Sequence, residues 1–228
     1  MKADSSDQAA SMVSPELASS MPVAAGALSA VLEIAADGWC QCAQRHPSPN
    51  FDARAAGTVI DLLVIHNISL PPGQFGGPFI GQLFCNQLDC DAHPYFDQLR
   101  PLRVSAHFVI QRDGQLLQFV STNDRAWHAG VSSFQGRERC NDFSIGIELE
   151  GTDFAPFTAL QYQVLASLSA ALLRRYPLRD VAGHEHIAPG RKTDPGPFFE
   201  WPKFQRDLRA HVESAQLRFP SGVGESQA

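Results

Sequence analysis

The sequence lacks the features that mark a membrane or secreted protein. No stretch approaches the about 20 consecutive apolar residues that a membrane-spanning helix needs. A secretory signal begins with basic residues that are followed directly by an apolar run. Here the Ala-rich segment 22–36 comes late and is interrupted by Glu33. We therefore expect a cytoplasmic protein.

An excess of positive charge is also absent. The formal net charge is −6 and the isoelectric point is near 5.7. Proteins that bind nucleic acids usually carry a basic face, so this composition argues against a nucleic-acid partner. No feature of the sequence predicts a membrane contact or a protein partner either.

Cysteine pairs of the kind found in disulfide frameworks and zinc ribbons are missing as well. The chain has five cysteines, and none of them forms a CxxC motif. An odd count without paired spacing predicts reduced, mostly structural thiols. The five are Cys40, Cys42, Cys85, Cys90 and Cys140.

The remaining composition is that of one globular domain. With 228 residues, 44% of them hydrophobic, the chain is long enough to build one full core. Residues 1–30 are rich in Ser and Ala with little periodicity, and residues 212–228 look similar. We predict that these two segments are a flexible extension and a flexible tail. The folded domain is then expected over residues 31–211.

Hydrophobic patterning predicts the elements of this domain. The apolar, β-branched run 58–66 indicates a buried central strand. Residues 104–120 indicate two strands around an Arg-Asp-Gly turn, and residues 143–151 alternate as a strand does. Residues 158–177 predict a helix capped by Thr158. The predicted fold class is α/β (α+β), a single domain with a central mixed β-sheet flanked by helices.

The predicted helix and the long connection before the hairpin carry further detail. Leu160 starts a stripe of apolar residues at i, i+4 spacing, which we expect to face the core. The Pro- and Gly-rich segment 69–103 is long for a connection, and such a length usually indicates a functional loop. We expect a short helix within it, near 78–85.

Two carboxylates lie on one face of the alternating strand. Glu148 and Glu150 share that face with Ser144 and Gly146, because successive side chains in a strand point to opposite sides. The other face carries Phe143, Ile145, Ile147 and Leu149. Either glutamate could act as a general base, and the pattern does not choose between them.

Four polar residues near the strand ends suggest a metal site. His66 ends a buried strand, and His184, Lys192 and Asp194 fall in the Gly- and Pro-rich segment 182–197. The motif GHEH is not HExxH, and its loop context excludes a helical zinc protease site. Catalytic zinc takes three protein ligands, and His66, His184 and Asp194 could supply them.

Four segments carry a resemblance to a known family. They are LLVIHNISLPPGQFGGP, HPYFDQLRPLRVSAHFVIQRDG, RAWHAGVSSFQGRERCNDFSIGIELEGTD and GHEHIAPGRKTDPGP. With the segments between them, from Gly38 to Leu208, they closely resemble the AmpD family of 1,6-anhydro-N-acetylmuramyl-L-alanine amidases. This family shares its zinc amidase pattern with phage lysozyme-type amidases and peptidoglycan-recognition proteins.

The resemblance implies a role for each matched residue. The Zn²⁺ ligands fall on His66, His184 and Asp194, the acid/base carboxylate on Glu148, and the oxyanion-stabilising residue on Lys192. Four further residues match positions that hold the anhydro-muropeptide substrate: Asn67, Arg103, Trp127 and Arg139. His107 is expected to be structural, and His128 is expected to line the pocket.

The reaction implied is hydrolysis of the amide that joins the lactyl group of anhydro-muramic acid to L-alanine of the stem peptide. Two alternatives stay open from the sequence. One is an amidase that acts on intact cell-wall peptidoglycan by the same chemistry. The other is a non-catalytic muropeptide sensor, although such proteins usually lose a metal ligand and this chain retains all of them.

Overall fold

A six-stranded mixed sheet forms the centre of the chain. The computed structural model describes residues 32–212 and 217–220. The strand order in the sheet is β1-β5-β4-β9-β3-β10, where the strands are β1 (Gln44–Arg45), β3 (Leu62–Ile68), β4 (Phe108–Ile110), β5 (Leu116–Gln118), β9 (Ser144–Glu150) and β10 (Asp180–Gly183). Two small antiparallel ribbons join β2 (Phe51–Ala53) to β6 (Asp124–Ala126) and β7 (Ser133–Phe134) to β8 (Arg137–Glu138).

Four neighbouring strands of the sheet run in the same direction. β4, β9, β3 and β10 pair in parallel, whereas β5 returns antiparallel to β4 as a hairpin. The carboxyl ends of the four parallel strands therefore meet at one edge of the sheet. In open α/β sheets this edge is where binding sites are usually built.

Helices cover the sheet, which confirms the predicted α/β architecture with a central mixed sheet. They are α1 (Phe79–Phe84), α2 (Ala159–Arg175), the single turn α3 (His184–Ile187) and α4 (Trp201–Arg209). Two 3₁₀ helices, Pro94–Leu99 and Cys140–Asp142, lie in the connections. The helix expected near 78–85 is α1.

The start of α2 follows the prediction closely. The hydroxyl of Thr158 accepts the backbone N–H of Gln161, whose side chain in turn accepts the backbone N–H of Thr158. This reciprocal pair satisfies two donors that the first turn leaves free. Leu160, however, is 42% exposed, so the predicted apolar stripe is wrong at its first position. The buried stripe instead includes Tyr162 and Leu165.

Strand β3 is buried on both faces, as its continuous apolar sequence predicts. Leu63 and Ile65 pack in the core cluster that includes α2. Leu62 and Val64 belong to a second cluster on the opposite face. Since side chains alternate along a strand, His66 also points to the face away from α2. The site is therefore built on the side of the sheet that α2 does not cover.

Three predicted boundaries differ from the structure. β3 begins at Leu62 and continues to Ile68, so His66 lies inside the strand rather than at its end. The hairpin predicted over 104–120 keeps only three residues in each strand. Phe143 lies just before β9 and packs in the cluster with Leu62, not with the apolar face of that strand.

The described residues include only part of the two predicted terminal segments. The predicted flexible extension, residues 1–30, lies outside the described residues. Of the predicted tail, residues 212 and 217–220 are described, and Arg218 bridges to Asp180 of β10. Among the described residues, no helix is long and apolar enough to cross a membrane. All five cysteines are free.

Candidate active site

Three side chains from separate parts of the chain converge at the carboxyl edge of the parallel strands. The Nδ1 atoms of His66 and His184 lie 3.0 Å apart, and each lies 3.0 Å from Oδ2 of Asp194. His66 comes from β3, His184 from the turn that follows β10, and Asp194 from the next loop. Both histidines are buried and the aspartate is partly buried. We call these three residues the ligand triangle.

Local sequence sets the position of His184. The structure places it at the first position of α3, so the loop expected for GHEH is wrong there. The turn forms because Nδ1 of His186 accepts the backbone N–H of Gly183 at 2.9 Å. Neither Gly nor Pro interrupts residues 184–188. The helical zinc protease motif stays excluded because α3 is a single turn and the sequence is not HExxH.

The chemistry of the triangle fits a metal ion. Nε2 of His184 lies 3.1 Å from the carbonyl oxygen of Ala129, which can only accept, so Nε2 carries the proton and Nδ1 presents a lone pair. A lone pair, a carboxylate oxygen and a second imidazole nitrogen therefore face one another. Ligand atoms on a tetrahedral zinc ion are about 3.3 Å apart, close to the spacing seen here.

The protonation state of His66 is the one that a metal site requires. Burial lowers the pKa of His66 to about 4, so its imidazole is neutral at pH 7. A neutral imidazole is the protonation state in which histidine binds metals.

Glu148 stands beside the triangle without a partner of its own. It pairs with His66 across β9 and β3, and it is only 8% exposed. Its Oε2 atom is buried and has no hydrogen-bond partner among the described residues. Burial, and then the charge of Asp194, raise the pKa of Glu148 well above its usual value. A carboxyl with a raised pKa holds a proton more readily than an ordinary one, as a general acid and base must.

Glu150 has a different environment on the same strand. Its two carboxylate oxygens accept the backbone N–H groups of Gly76, at 2.6 Å, and of Arg112, at 3.1 Å. The side chain is 1% exposed. Glu150 therefore anchors two loops to the sheet edge and has no free oxygen directed at the triangle.

Lys192 lies on the loop between α3 and Asp194. Its side chain is exposed, and its charge lowers the pKa of both Glu148 and His66. Its backbone N–H donates to the carbonyl of Ala188, which ties this loop to the end of α3. Lys192 therefore carries an exposed positive charge close enough to act on Glu148 and His66.

Asn67 contacts Asp153, a residue that the sequence analysis did not identify. Its Nδ2 donates to Oδ1 of Asp153 at 2.7 Å and to the carbonyl of Pro195 at 3.1 Å. Oδ2 of Asp153 accepts the hydroxyl of Thr193 at 2.6 Å. Asp153 therefore joins the end of β3 to the loop of Asp194. Its place three residues after the end of β9, at the edge that carries the site, is the sequence signal that could have identified it.

The other predicted substrate residues lie in three different settings. Trp127 donates its indole N–H to Oδ2 of Asp52 at 2.7 Å. Arg139 is 72% exposed, and its Nε lies 3.2 Å from Oδ2 of Asp142. Arg103 donates to the carbonyls of two residues in its own loop, Arg100 and Leu102. Among the described residues, no hydrogen bond joins any of these three side chains to the ligand triangle.

The two additional histidines are both buried. His107 accepts the backbone N–H of Gly146 and faces the carbonyl of Asp124, as a structural residue does. Burial lowers its pKa to about 3. His128 lies behind His66, with its Nδ1 atom 2.9 Å from Nε2 of His66. It supports a residue of the triangle from inside the protein.

Comparison with known proteins identifies the family. The sequence pattern of the N-acetylmuramoyl-L-alanine amidase family matches residues 56–197, a range that contains the ligand triangle, Glu148 and Lys192. The chain belongs to this amidase family. The resemblance noted in the sequence and the amidase activity that it implied are thereby confirmed.

Two relatives are similar to the amidase over most of their length. The 1,6-anhydro-N-acetylmuramyl-L-alanine amidase AmpD of Citrobacter freundii is 58% identical over 171 residues, which cover 74% of this chain and 91% of the relative. The protein of that name from Escherichia coli K12 is 56% identical over 170 residues, covering 74% and 93%.

A solved structure agrees with the fold of the amidase. The crystal structure of a selenomethionine derivative of AmpD superposes with a TM-score of 0.73 at 56% sequence identity. The match covers 75% of this chain and 97% of the crystallised chain. The amidase therefore shares both its sequence pattern and its fold with this crystallised protein.

Proposed function

We propose that the amidase hydrolyses the lactyl–L-alanine amide of 1,6-anhydro-N-acetylmuramyl peptides during peptidoglycan recycling, with Zn²⁺ held by His66, His184 and Asp194. The observation that carries this proposal is the ligand triangle, with atoms 3.0 Å apart, beside the unpartnered Oε2 of Glu148. The choice of substrate is supported by the names of the relatives, which are 56% and 58% identical.

A zinc ion at this position would supply a Lewis acid that lowers the pKa of water and polarises the scissile carbonyl. Two imidazoles and one carboxylate form a ligand set known for catalytic zinc, in which three protein ligands leave one position open. None of the five cysteines belongs to the triangle.

Glu148 is proposed as the general acid and base. A free, buried Oε2 with a raised pKa can accept a proton from water and deliver it to the departing amide nitrogen. Glu150 is not suited to this role, because both of its oxygens already accept backbone N–H groups.

Lys192 is proposed to stabilise the negative charge that develops on the carbonyl oxygen. Its exposed ammonium group can approach a substrate from the solvent side, and its charge already acts on Glu148 and His66. Loss of one such stabilising group typically costs about 10²–10³-fold in turnover.

Asn67, Trp127, Arg139 and Arg103 are proposed to hold the muropeptide. The amide oxygen of Asn67 stays free to accept an N–H group, because its Nδ2 makes both protein contacts. The exposed guanidinium of Arg139 suits the carboxylates of a stem peptide. The assignment of Arg103 rests on the family resemblance alone, since its guanidinium is engaged with its own loop.

The decisive experiment compares metals and substrates on one preparation. Purified protein would be stripped with a chelator, reloaded with zinc or magnesium, and assayed by mass spectrometry. We expect about one zinc ion per chain and release of peptide from anhydro-muropeptides only after zinc is added. Faster turnover of polymeric peptidoglycan than of anhydro-muropeptides would overturn the substrate, and full activity without zinc would overturn the metal.

The cytoplasmic location predicted from the sequence also stays a proposal. Cell fractionation with antibody detection tests it directly. A substantial periplasmic pool would contradict it.

A further inference from the structure

The imidazole of His66 is part of a buried line of hydrogen-bonding groups that leads away from the ligand triangle. Its Nε2 lies 2.9 Å from Nδ1 of His128, and Nε2 of His128 lies 3.2 Å from Oγ of Ser144. The Ser144 hydroxyl lies 2.6 Å from the carbonyl oxygen of Cys140. All four residues are buried. We call this line the His66 relay.

The direction of every hydrogen bond in the His66 relay follows from its last member. The carbonyl oxygen of Cys140 can only accept, so the single hydroxyl proton of Ser144 must point to it. Oγ of Ser144 can then only accept from His128, which therefore carries its proton on Nε2. Nδ1 of His128 is left with a lone pair, which accepts a hydrogen bond from the Nε2–H group of His66. Nδ1 of His66 consequently presents its own lone pair to the triangle.

The fold holds the ring of His128 in the orientation that this line requires. A Cβ atom at Gly146 would lie 2.4 Å from Cγ of His128, so the ring lies directly against the glycine of β9. Backbone N–H groups of His128 and Ala129 donate to Oδ1 of Asn141, at 3.1 and 2.8 Å. The approach of the ring to the strand therefore depends on the absence of a side chain at Gly146.

The two histidines of the triangle are held in their tautomers by different means. His184 donates to a backbone carbonyl, that of Ala129, which no substitution removes. His66 depends on another imidazole, which accepts only while Ser144 keeps it in the matching tautomer. The His66 side of the triangle is therefore the one that side-chain substitution can disturb.

We propose that His128 and Ser144 are positioning residues that hold His66 in the tautomer with its proton on Nε2, and thereby present Nδ1 to the metal ion. This inference rests on the proposed metal site. Outer hydrogen-bond partners of metal-binding histidines fix the ring orientation and tautomer, and their loss typically weakens metal affinity about 10–100-fold.

Two substitutions at one position test the proposal. His128→Asn places an amide oxygen close to the position of Nδ1, where it can accept the hydrogen bond from His66. His128→Leu has a similar size but no acceptor. We expect zinc affinity, measured by competition with a chelating dye, to fall about 10–100-fold in His128→Leu. His128→Asn should stay much closer to the wild type. Ser144→Ala should cause a smaller loss than His128→Leu.

A second readout does not need metal at all. Long-range ¹H–¹⁵N spectra of zinc-free, histidine-labelled protein report which ring nitrogen of His66 carries the proton. The wild type and His128→Asn should show it on Nε2, and His128→Leu should shift it to Nδ1 or to a mixture. The signals would be assigned with a His66→Gln variant. Failure of the wild type to bind zinc would count against the proposed function and leave this tautomer test standing.

His107→Asn is the matched control. His107 is a buried neighbour of His128 whose ring contacts backbone groups and Arg54 and lies outside the relay. We expect it to leave the zinc affinity unchanged, with thermal unfolding of each zinc-free variant confirming that it is folded. The proposal is overturned if His128→Leu binds zinc as tightly as the wild type with the proton still on Nε2. It is equally overturned if His107→Asn weakens zinc as much as His128→Leu does.

Discussion

The two ends of the central parallel strands differ in whether their acidic side chains have hydrogen-bond partners. At the amino end, Asp61 receives two hydrogen bonds from Arg137, and Asp180 receives two from Arg218. At the carboxyl end, three potential acceptors of the ligand triangle face one another at 3.0 Å. Oε2 of Glu148 has no partner there among the described residues.

This difference indicates that the amino end of the sheet contributes to stability and the carboxyl end to function. A buried acidic group that keeps an arginine partner supports the fold and has nothing left to offer a ligand. Acceptors placed together without donors are unfavourable until a cation binds between them. Buried polar groups without a hydrogen-bond partner are expected at functional sites. The predictions below exchange or remove groups at each end.

The largest effect is expected from Glu148→Gln at the carboxyl end. The amide cannot accept and return a proton, so turnover should fall by about 10²–10⁴-fold. The variant should keep its metal, because Glu148 is not in the ligand triangle, and it should be no less stable than the wild type. Kinetics, metal analysis and urea denaturation on the same samples measure all three quantities. Loss of stability together with near-normal turnover would reverse the assignment.

Lys192→Met should have the next largest effect. It removes the charge but keeps most of the flexible stem, and the side chain is exposed. We expect turnover to fall by about 10²–10³-fold with unchanged unfolding. Lys192→Arg retains a positive charge and should recover part of the rate. Equal losses in the two variants would argue against a role for the charge itself.

The environment of these groups explains how far the sequence could predict them. Strand alternation correctly placed Glu148 and Glu150 on one face but could not separate their roles. Their difference depends on Gly76 and Arg112, which lie 74 and 38 residues away from Glu150. The family resemblance selected Glu148, and the free Oε2 atom supplies the physical reason.

The residues of the ligand triangle could be predicted from the sequence. The contact of His128 that supports His66 could not. His66 lies near the end of β3, His184 follows β10, and Asp194 falls in a loop of unusual composition, so local pattern and resemblance suffice to suggest them. His128 reaches His66 across 62 residues of chain, through a ring that lies against Gly146. No periodicity reports such a contact. The exposed Leu160 shows the same limit, because the helix was predicted but its packing angle was not.

Glu150→Gln should affect stability rather than chemistry. One oxygen would be replaced by an NH₂ group facing a backbone donor, so one buried N–H loses its acceptor. Such a loss costs about 1–3 kcal/mol, which urea denaturation can measure. Turnover should fall far less than in Glu148→Gln. A variant with full stability and abolished turnover would show that the two glutamates had been assigned the wrong way round.

Acid should destabilise the protein through buried histidines away from both ends. Burial lowers the pKa of His107 to about 3, below the unfolded value of about 6.5. Between these values the unfolded chain binds the extra proton, so stability falls as pH decreases from about 6.5 and is unaffected above it. One such histidine contributes a loss of about 2 kcal/mol at pH 5. In His107→Gln the difference in unfolding free energy between pH 7 and pH 5 should shrink by about that amount, and an unchanged difference would contradict it.

The smallest effect is expected at the amino end. Arg137→Met removes the two bonds to Asp61 and the contact of the guanidinium with the ring of Phe143. Because the Arg137 side chain is 41% exposed, its removal admits water to the Asp61 carboxylate, and the loss should be about 1 kcal/mol. High salt should reduce the difference between variant and wild type, since it screens the exposed pair. Turnover should stay the same, because the charge lies at the opposite end of the strands from Glu148. A large fall in turnover would mean that the two ends of the sheet are coupled, and the division between stability and function would then be wrong.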